Sequence, residues 1–498
     1  MYILFDFLDK FFFFLYNIFF INFFFLSFPI HLLIFFFLTG NIFFCFYSNN
    51  RFYLLLNSFF TSSYAFYSYL IMLINHKFYT NNVTFDFIEV YSINTSFIDI
   101  NLIWGIDILS NLFLILTTFL ICLCVLLISL EKNLKFFLIN LLIIELFLII
   151  VFSTLNLLIF YIFFEGILIP MFLIVGIWGS RDRKIWAIYL LFFYTLCSSL
   201  CFLISILYIN FIYNTLDISQ LASETFPLYI QYWLWLAFFL SFASKIPVFP
   251  LHLWLPEAHV EAPTVGSILL AGILLKLGVY GFIRFNLTFF LEASQFFTPF
   301  IYLLCILGIL YSSFSAIRQT DIKRIIAYSS VAHMNLICIG IFSFTNMSIE
   351  GVILQSISHG FVSGGLFFLI GVLYSRYGSR QLNYYSGINE IMPFFSFFFF
   401  FFTLGNLAFP GTSSFVGEFL ILTSIYINSP ILCIITTFSI VLCGSYSLWL
   451  YNRIFFGNIN SNIINYMDLN FNEFIIASIF FIFILILGLF PSILFYYL

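Results

Sequence analysis

The chain has 498 residues, of which 63% are hydrophobic and 8% charged, with a formal net charge of −4. Soluble domains carry about 25% charged residues, so this composition excludes a soluble globular protein and predicts an all-α polytopic membrane protein. The nine cysteines include no CxxC pair and no metal-ligand spacing. We interpret them as small packing residues rather than as disulfides or cluster ligands.

Apolar runs recur along almost the whole chain, and each is long enough to cross about 30 Å of hydrocarbon. They predict about fourteen spans, near residues 11–38, 52–74, 106–129, 134–152, 155–178, 185–209, 229–251, 264–286, 298–317, 321–343, 349–374, 391–420, 429–456 and 472–496. Between the second and third spans, residues 76–105 alternate apolar and polar side chains. This alternation predicts a short extramembrane hairpin.

The basic residues between the spans are unevenly distributed. Loops after odd-numbered spans hold twelve of the seventeen lysines and arginines, counting the starts of the next spans. The twelve are Arg51, Lys132, Lys135, Arg181, Arg183, Lys184, Arg318, Lys323, Arg324, Arg376, Arg380 and Arg453. Among basic residues, loops after even-numbered spans hold only Lys77. The positive-inside rule therefore predicts that the basic loops face the matrix or cytoplasm and that both termini lie on the opposite side.

Several ionisable residues lie inside the spans, where an isolated charge costs about 2.5–3.5 kcal/mol at the bilayer centre. These residues are Glu145, Glu165, Lys245, Lys276, His333, His359 and Glu418. The helical rise puts five of them about 15–18 Å from a membrane face, and Lys245 and Glu418 lie beside proline and glycine. Together they predict a lateral path for protons or ions near the midplane. Alternatives are packing histidines, a structural Glu165–Lys245 bridge, and no role for Glu145, the weakest candidate.

Two spans contain helix breakers beside a charge. Pro247 and Pro250 follow Lys245, whereas Pro410, Gly411 and a polar Thr412–Ser414 precede Glu418. Proline removes a backbone donor and clashes with the preceding turn, so both helices are predicted to be discontinuous. Broken helices at membrane depth are tolerated where they line a cavity or are buried, and they mark transport sites.

The layout of the spans predicts two inverted five-helix repeats. Spans four to eight and nine to thirteen each contain a broken helix in fourth place, and five is odd, so the second set begins on the opposite face. Lys276 lies in the last helix of the first repeat, where Gly272 and Gly278 are expected to leave room for water.

The sequence predicts four divisions of the chain. In order, they are N-terminal helices with an extramembrane segment, a first half that contains the first repeat, a second repeat, and a C-terminal transmembrane helix. Their bounds are 1–105, 106–286 (repeat about 134–286), 298–456 and 472–498.

Five long motifs resemble the antiporter-like membrane subunits of respiratory complex I. The longest, KIPVFPLHLWLPEAHVEAPTVGSILLAGILLKLGVYG, covers Lys245–Gly281. The others are YIFFEGILIPMFLIVGIWG (Tyr161–Gly179), RQTDIKRIIAYSSVAHMN (Arg318–Asn335), SHGFVSGGLFFLIG (Ser358–Gly371) and LAFPGTSSFVGEF (Leu407–Phe419). The resemblance covers about residues 104–456. Within this group, Glu418 and the HLWLPEAHVEAP form are similar to the chain 4 family, since chains 2 and 5 usually have lysine at the position of Glu418.

The resemblance implies proton translocation with no redox centre in this chain. Glu165 and Lys245 resemble the fifth-span carboxylate and its seventh-span lysine partner, and Lys276 resembles the central eighth-span lysine. His333 and His359 resemble the linkers between half-channels, and Glu418 the terminal residue of the second. Glu145 matches a fourth-span glutamate that some mitochondrial relatives replace.

The resemblance also implies a setting. The chain would be a subunit of the H+-translocating NADH:ubiquinone reductase, whose NADH, FMN, iron–sulfur clusters and ubiquinone act outside this chain. Its partners would be other membrane-arm subunits, including the chain 2 and chain 5 paralogues, and lipids, with no nucleic acid. The N-terminus has almost no basic residues and so shows no transit-peptide pattern. The composition of the whole chain, with 79 Phe and 30 Tyr, is typical of an AT-rich organelle genome. We therefore expect a multi-pass protein of the mitochondrial inner membrane with both termini in the intermembrane space.

Two other functions remain open from the sequence alone. One is a cation/proton antiporter subunit, which shares the fold and needs neither quinone nor NADH. The other is a scaffold, for which neutralising the charges would impair assembly rather than pumping.

Overall fold

The computed structural model describes residues 30–47, 50–75, 87–94, 99–128, 133–459 and 467–496. Within these residues the chain is helical apart from one β-hairpin and its connections. The helices are α1 (Ile30–Tyr47), α2 (Arg51–Asn75), α3 (Ile108–Leu127), α4 (Leu134–Ser153), α5 (Leu157–Gly166), α6 (Leu168–Trp178), α7 (Lys184–Tyr213), α8 (Ile218–Leu221), α9 (Leu228–Lys245), α10 (Trp254–Glu261), α11 (Thr264–Phe289), α12 (Leu291–Arg318), α13 (Ile322–Ile341), α14 (Asn346–Tyr377), α15 (Ile388–Ile391), α16 (Pro393–Asn406), α17 (Ser413–Asn428), α18 (Pro430–Phe455), α19 (Phe471–Leu489) and α20 (Ser492–Phe495).

Ten membrane spans among the described residues are long and apolar enough to cross a bilayer. They are α3, α4, α5 with α6, α7, α11, α12, α13, α14, α18 and α19. This confirms a polytopic helical membrane protein, while the total of fourteen spans stays a prediction. The predicted first span falls largely on residues outside the described part of the chain. Its predicted end is wrong, because α1 continues to Tyr47 rather than stopping at residue 38.

The hairpin predicted between the second and third spans is confirmed, while its position outside the membrane stays a prediction. Strand β1 (Phe87–Asn94) pairs antiparallel with β2 (Asp99–Ile106), and Phe87 lies opposite Ile106. The hairpin rests on the end of the fourth predicted span, where the amide of Leu155 donates to the carbonyl of Ile103 at 2.9 Å. The hairpin is therefore hydrogen-bonded to the chain just after the end of α4.

Both predicted helix breaks are confirmed. Helix α9 ends at Lys245, and turns carry the chain through both prolines to α10, which begins at Trp254. Helix α16 ends at Asn406, and α17 begins at Ser413. In the second break Gly411 has a φ of +97°, a left-handed conformation that glycine adopts without a steric penalty. Each break is the fourth segment of its set of five, as the layout predicts.

The basic loops meet on one face of the bundle. The carboxylate of Asp321 lies 3.8 Å from the guanidinium of Arg181, and the ammonium of Lys323 donates to the carbonyl of Ala262 at 2.6 Å. The amide of Ile322 donates to the carbonyl of Arg380 at 3.0 Å. Arg183 and Lys184 share the loop of Arg181, and Arg376 ends α14 next to the loop of Arg380. The prediction that these basic residues share a face is confirmed.

Three helices form the buried centre, and others surround them. In the most apolar 18-residue stretch of α14, every residue is buried. The buried share of the corresponding stretch is 94% in α11 and 89% in α13. In α7, α12, α18 and α19 the buried share is only 28–39%. Helix α14 contacts α3, α11, α13, α16, α17 and α19. The ionisable residues on α11, α13 and α14 are therefore enclosed by protein rather than by lipid.

Candidate functional site

An ion pair between a buried lysine and a partly buried glutamate lies at the first break. The ammonium of Lys245, the last residue of α9, is 4.0 Å from Oε1 of Glu165 on α5. The same ammonium lies 4.6 Å from the centre of the Phe164 ring, a cation–π contact. Oε1 of Glu165 accepts no hydrogen bond within the described part of the chain. The pair is therefore an electrostatic contact without a direct hydrogen bond.

Lys276 lies at the centre of the molecule and contacts a histidine from the other half. Its ammonium donates to the carbonyl of Ala271 at 2.6 Å and is 3.0 Å from Nδ1 of His359 on α14. Lys276 is fully buried, and no carboxylate of the described residues lies within ion-pair distance. Immediately before it, Leu270–Leu274 form a π-helical turn. Such turns are frequent at functional sites, and this one includes the residue whose carbonyl binds the lysine.

The second break carries a hydrogen-bonded cluster. Nδ1 of His333 is 2.9 Å from Oε1 of Glu418, and Nε2 is 3.1 Å from Oδ1 of Asn406. The side-chain amide of Gln355 donates to the same Oε1 at 2.9 Å. A cavity with room for about one water molecule borders His333, Asn406 and Glu418. All four side chains are buried, so their polar groups depend on one another.

These groups form a connected series. The rings of His333 and His359 lie 5.9 Å apart between centroids, which joins the Lys276 contact to the Glu418 cluster. The end of α9 packs on α11, where Phe242 and Ile246 lie against Gly278, two residues after Lys276. We use the term polar row for these six residues: Glu165, Lys245, Lys276, His359, His333 and Glu418.

Glu145 does not join the polar row. It is fully buried on α4, and neither carboxylate oxygen has a hydrogen-bond partner among the described residues. The structure brings the other six predicted residues together in contacting pairs and leaves this one apart. A role for Glu145 in the path stays a prediction.

The expectation that Gly272 and Gly278 leave room for water is wrong. A Cβ atom at Gly272 would lie 2.5 Å from Cδ1 of Leu120, and one at Gly278 would lie 2.6 Å from Cγ1 of Ile246 and 2.8 Å from the carbonyl oxygen of Phe242. Atoms of the neighbouring helices occupy the space that a side chain at either glycine would fill. These glycines therefore permit close packing of α3 and α9 on α11.

Comparison with known proteins assigns the family. Residues 154–443 match the family described as NADH:quinone oxidoreductase/Mrp antiporter, TM. The NADH-ubiquinone oxidoreductase chain 4 of Marchantia polymorpha is 50% identical over 398 residues, which is 79% of this chain and 80% of that protein. The chain belongs to the chain 4 family.

Solved structures agree with this membership. A chain of the respiratory complex I of Thermus thermophilus with bound NADH is 27% identical and superposes with a TM-score of 0.84, covering 93% of this chain and 96% of its own. A chain of the Mrp complex of a Dietzia species is 19% identical with a TM-score of 0.78, covering 89% of this chain and 91% of its own. At that identity the second similarity shows the fold alone.

Two residues of the second cluster were missed by the sequence reasoning. Gln355 and Asn406 carry no charge, and charge within a span was the feature that predicted the other members of the site. The signal that would have found them is an amide within a strongly apolar span, because a buried amide without a partner is costly.

An ion pair was missed too: the guanidinium of Arg284 lies 2.6 Å from the carboxylate of Asp107. This pair joins the start of α3 to α11. The carboxylate also accepts from the amide of Ser110, and these interactions lower the pKa of Asp107 although burial opposes them.

Proposed function

We propose that the polar row is the proton path of this chain, which acts as a proton-translocating membrane-arm subunit of complex I. The observation that supports it most directly is the Lys276–His359 contact at 3.0 Å, which joins the two halves of the molecule at its buried centre. Two proton-carrying groups within hydrogen-bond distance can exchange a proton directly. The six residues form three contacting pairs, and the rings of His359 and His333 lie 5.9 Å apart between the second pair and the third.

The cost of burying an unpaired charge favours transfer of the Lys276 proton toward His359. A buried charge is costly unless it is paired, and Lys276 has no carboxylate beside it. When Lys276 gives its proton to Nδ1 of His359, the amine becomes neutral and the imidazole becomes an imidazolium. The positive charge then acts on His333, whose partner Glu418 balances it. Each transfer therefore moves the positive charge toward the second break.

The ion pair at the first break is suited to starting this sequence. Its atoms are 4.0 Å apart, so a small movement of α9 separates them. The unpaired ammonium of Lys245 then repels a charge on Lys276 through the α9–α11 contact, which favours release of the Lys276 proton toward His359. The two breaks act as the hinges of this movement.

The catalytic activity belongs to the whole complex. In the H+-translocating NADH:ubiquinone reductase, NADH, FMN, iron–sulfur clusters and ubiquinone carry out the redox chemistry outside this chain. The exposed apolar faces of α7, α12 and α18 supply surface for the chain 2 and chain 5 paralogues and for lipid. The repeats 134–286 and 298–456 each supply one half of the path. The setting is the mitochondrial inner membrane, with the basic loops in the matrix and both termini in the intermembrane space.

The antiporter-subunit alternative is not favoured. The family model covers both classes, but the 50% identical relative is a complex I chain 4. Co-purification of the chain with flavin and iron–sulfur subunits is the result expected for the complex I assignment. Recovery of the chain in a complex that lacks them would favour the antiporter instead.

Substitution of Lys276 tests the path. Lys276→Ala in the assembled complex is expected to remove most proton pumping through this subunit, and Lys276→Arg is expected to impair it, because guanidinium hardly ever deprotonates. Lys184→Arg is the control, since this lysine lies at the basic face and donates to the carbonyl of Ile177. The measurement is proton pumping with NADH:ubiquinone turnover, normalised to assembled complex. Wild-type pumping in Lys276→Arg would refute lysine deprotonation.

A further inference from the structure

The side chain of Asn406 holds one nitrogen of His333 while Glu418 faces the other. Oδ1 of Asn406 is 3.1 Å from Nε2, and Oε1 of Glu418 is 2.9 Å from Nδ1. An amide oxygen only accepts hydrogen bonds. The contact with Asn406 is therefore satisfied only when Nε2 carries a proton.

The orientation of the Asn406 amide is itself fixed. Its Nδ2 points toward Sγ of Cys443 at 4.0 Å, and Sγ of Cys443 donates to the backbone carbonyl of Asn406 at 3.3 Å. The same Sγ lies 3.8 Å from Nε2 of His333. The hydroxyl of Tyr446 donates to the same sulfur at 3.0 Å. Asn406 is also the last residue of α16. Its amide oxygen is thus aimed at His333 by a buried cluster and attached to the helix break.

We infer that Asn406 is a positioning residue that keeps the neutral His333 ring protonated on Nε2, so that Nδ1 is the atom that exchanges a proton with Glu418. This inference rests on the proposed function. The hydrogen bond made by one ring nitrogen of a histidine decides which nitrogen carries the proton. In a serine protease triad, the wrong tautomer lowers the rate about 10⁴-fold.

The proton transfer that follows is simple. In the loaded state both ring nitrogens carry a proton, and the imidazolium donates to Asn406 and to the Glu418 carboxylate. The Nδ1–H bond then breaks and an O–H bond forms on Oε1 of Glu418. The ring becomes neutral, the carboxylate becomes a carboxylic acid, and nothing is oxidised or reduced. Without Asn406 the neutral ring can instead keep its proton on Nδ1, bonded to the Glu418 carboxylate, and the transfer stops.

The break gives this arrangement a second consequence. Asn406 lies before the interruption and Glu418 lies after it, so His333 is held by both halves of the broken span. A movement of α16 relative to α17 changes the two bonds of one ring independently. The Asn406 bond therefore connects the conformation of the second break to the exchange at Nδ1.

The test compares two substitutions at Asn406 in the assembled complex. Asn406→Leu fills a similar volume without an acceptor, and we expect it to lower the pumping rate at least about tenfold. Asn406→Asp keeps an acceptor toward Nε2, and we expect it to keep most of the pumping. A role in packing alone predicts the reverse order, because leucine is the better apolar filler and aspartate buries a charge. Asn406→Leu pumping as well as Asn406→Asp, or better, would overturn the inference.

A second pair guards against failure to fold. Asn406→Thr and Asn406→Val have nearly the same shape, but only threonine has a hydroxyl that can accept a hydrogen bond. The threonine variant is therefore expected to pump faster, and equal rates would count against the inference.

Gln231→Leu is the control, since this buried amide donates to the carbonyl of Phe226 and accepts from the amide of Ala293, away from the polar row. Glu418→Gln in the same preparation separates the two hypotheses. Wild-type pumping there would refute the proposed path, whereas loss there with normal pumping in Asn406→Leu would refute only the role of Asn406.

Discussion

The two broken spans hold their charged residues in different ways. At the first break Lys245 faces Glu165 at 4.0 Å, with an aromatic ring as its other close neighbour. At the second break Oε1 of Glu418 lies 2.9 Å from Nδ1 of His333 and accepts a hydrogen bond from the side-chain amide of Gln355 at 2.9 Å. Charge-assisted hydrogen bonds of this length are about twice as strong as neutral ones. The first site is therefore the easier one to open, and the second is the anchored end of the row.

The largest effect is expected from removing the anchor. Glu418→Gln removes the charge that balances a protonated His333 and disturbs the donor from Gln355. Hydrogen bonds to charged groups contribute about 1.5–3 kcal/mol, so pumping should fall by about tenfold or more. The measurement is NADH-driven proton uptake into proteoliposomes with assembly checked on native gels. Normal pumping in an assembled Glu418→Gln complex would show that the cluster is not the end of the path.

A pair of double-mutant cycles measures the difference between the breaks. Glu165→Gln with Lys245→Met covers the first, and His333→Gln with Glu418→Gln covers the second. Contacting pairs show interaction energies of about 0.5–3 kcal/mol, and we expect the second pair to lie nearer the upper end. The quantity is the free energy of coupling derived from pumping rates. Equal coupling energies at the two breaks would contradict the comparison.

A smaller effect is expected from separating α17 from α14. Gly417→Ala places a Cβ atom 2.8 Å from the backbone nitrogen and Cβ of Gln355, so the two helices must move apart. Overpacking of this kind costs about 1–3 kcal/mol and lengthens the Gln355–Glu418 bond. Thermal stability of the purified complex is the first measurement and pumping the second. Gly444→Ala is the matched control, because its Cβ would lie at an ordinary 3.5 Å from Leu407.

The smallest effect is expected outside the membrane. Arg181 and Asp321 lie 3.8 Å apart at the basic face, and both side chains are partly exposed. Exposed pairs contribute about 0–1 kcal/mol, so Asp321→Asn should leave thermal stability and pumping close to wild type. A loss comparable to that of Glu418→Gln would mean that the basic face takes a direct part in proton transfer.

Much of the fold follows from local rules. Prolines beside Lys245 and Glu418 predict the breaks because proline cannot continue a helix. Alternation in residues 76–105 predicts the hairpin, and the distribution of arginine and lysine predicts the shared face. Each of these signals lies within a few residues of the feature it predicts.

The site was less predictable, for a physical reason. Lys276 meets His359 across 83 residues and His333 meets Glu418 across 85, so the contacts depend on how α11, α13, α14 and α17 rotate and tilt. The position of a residue along its span gives its depth but not the direction of its side chain, so depth alone does not separate Glu145 from residues that it does not contact. Amides such as Gln355 carry no charge and gave no signal. The π-helical turn before Lys276 depends on packing that a single sequence does not display.

The position of α14 has a consequence for how the protein is made. This helix belongs to the second repeat by chain order, yet it covers α11 of the first and bears His359, the partner of Lys276. A nascent chain that ends before Tyr377 therefore exposes the Lys276 face of α11 to lipid, where its ammonium lacks the histidine. The two halves cannot mature as separate modules. We expect the first half to remain a substrate for membrane chaperones and proteases until the eleventh predicted span has been inserted, so that premature termination is cleared rather than assembled.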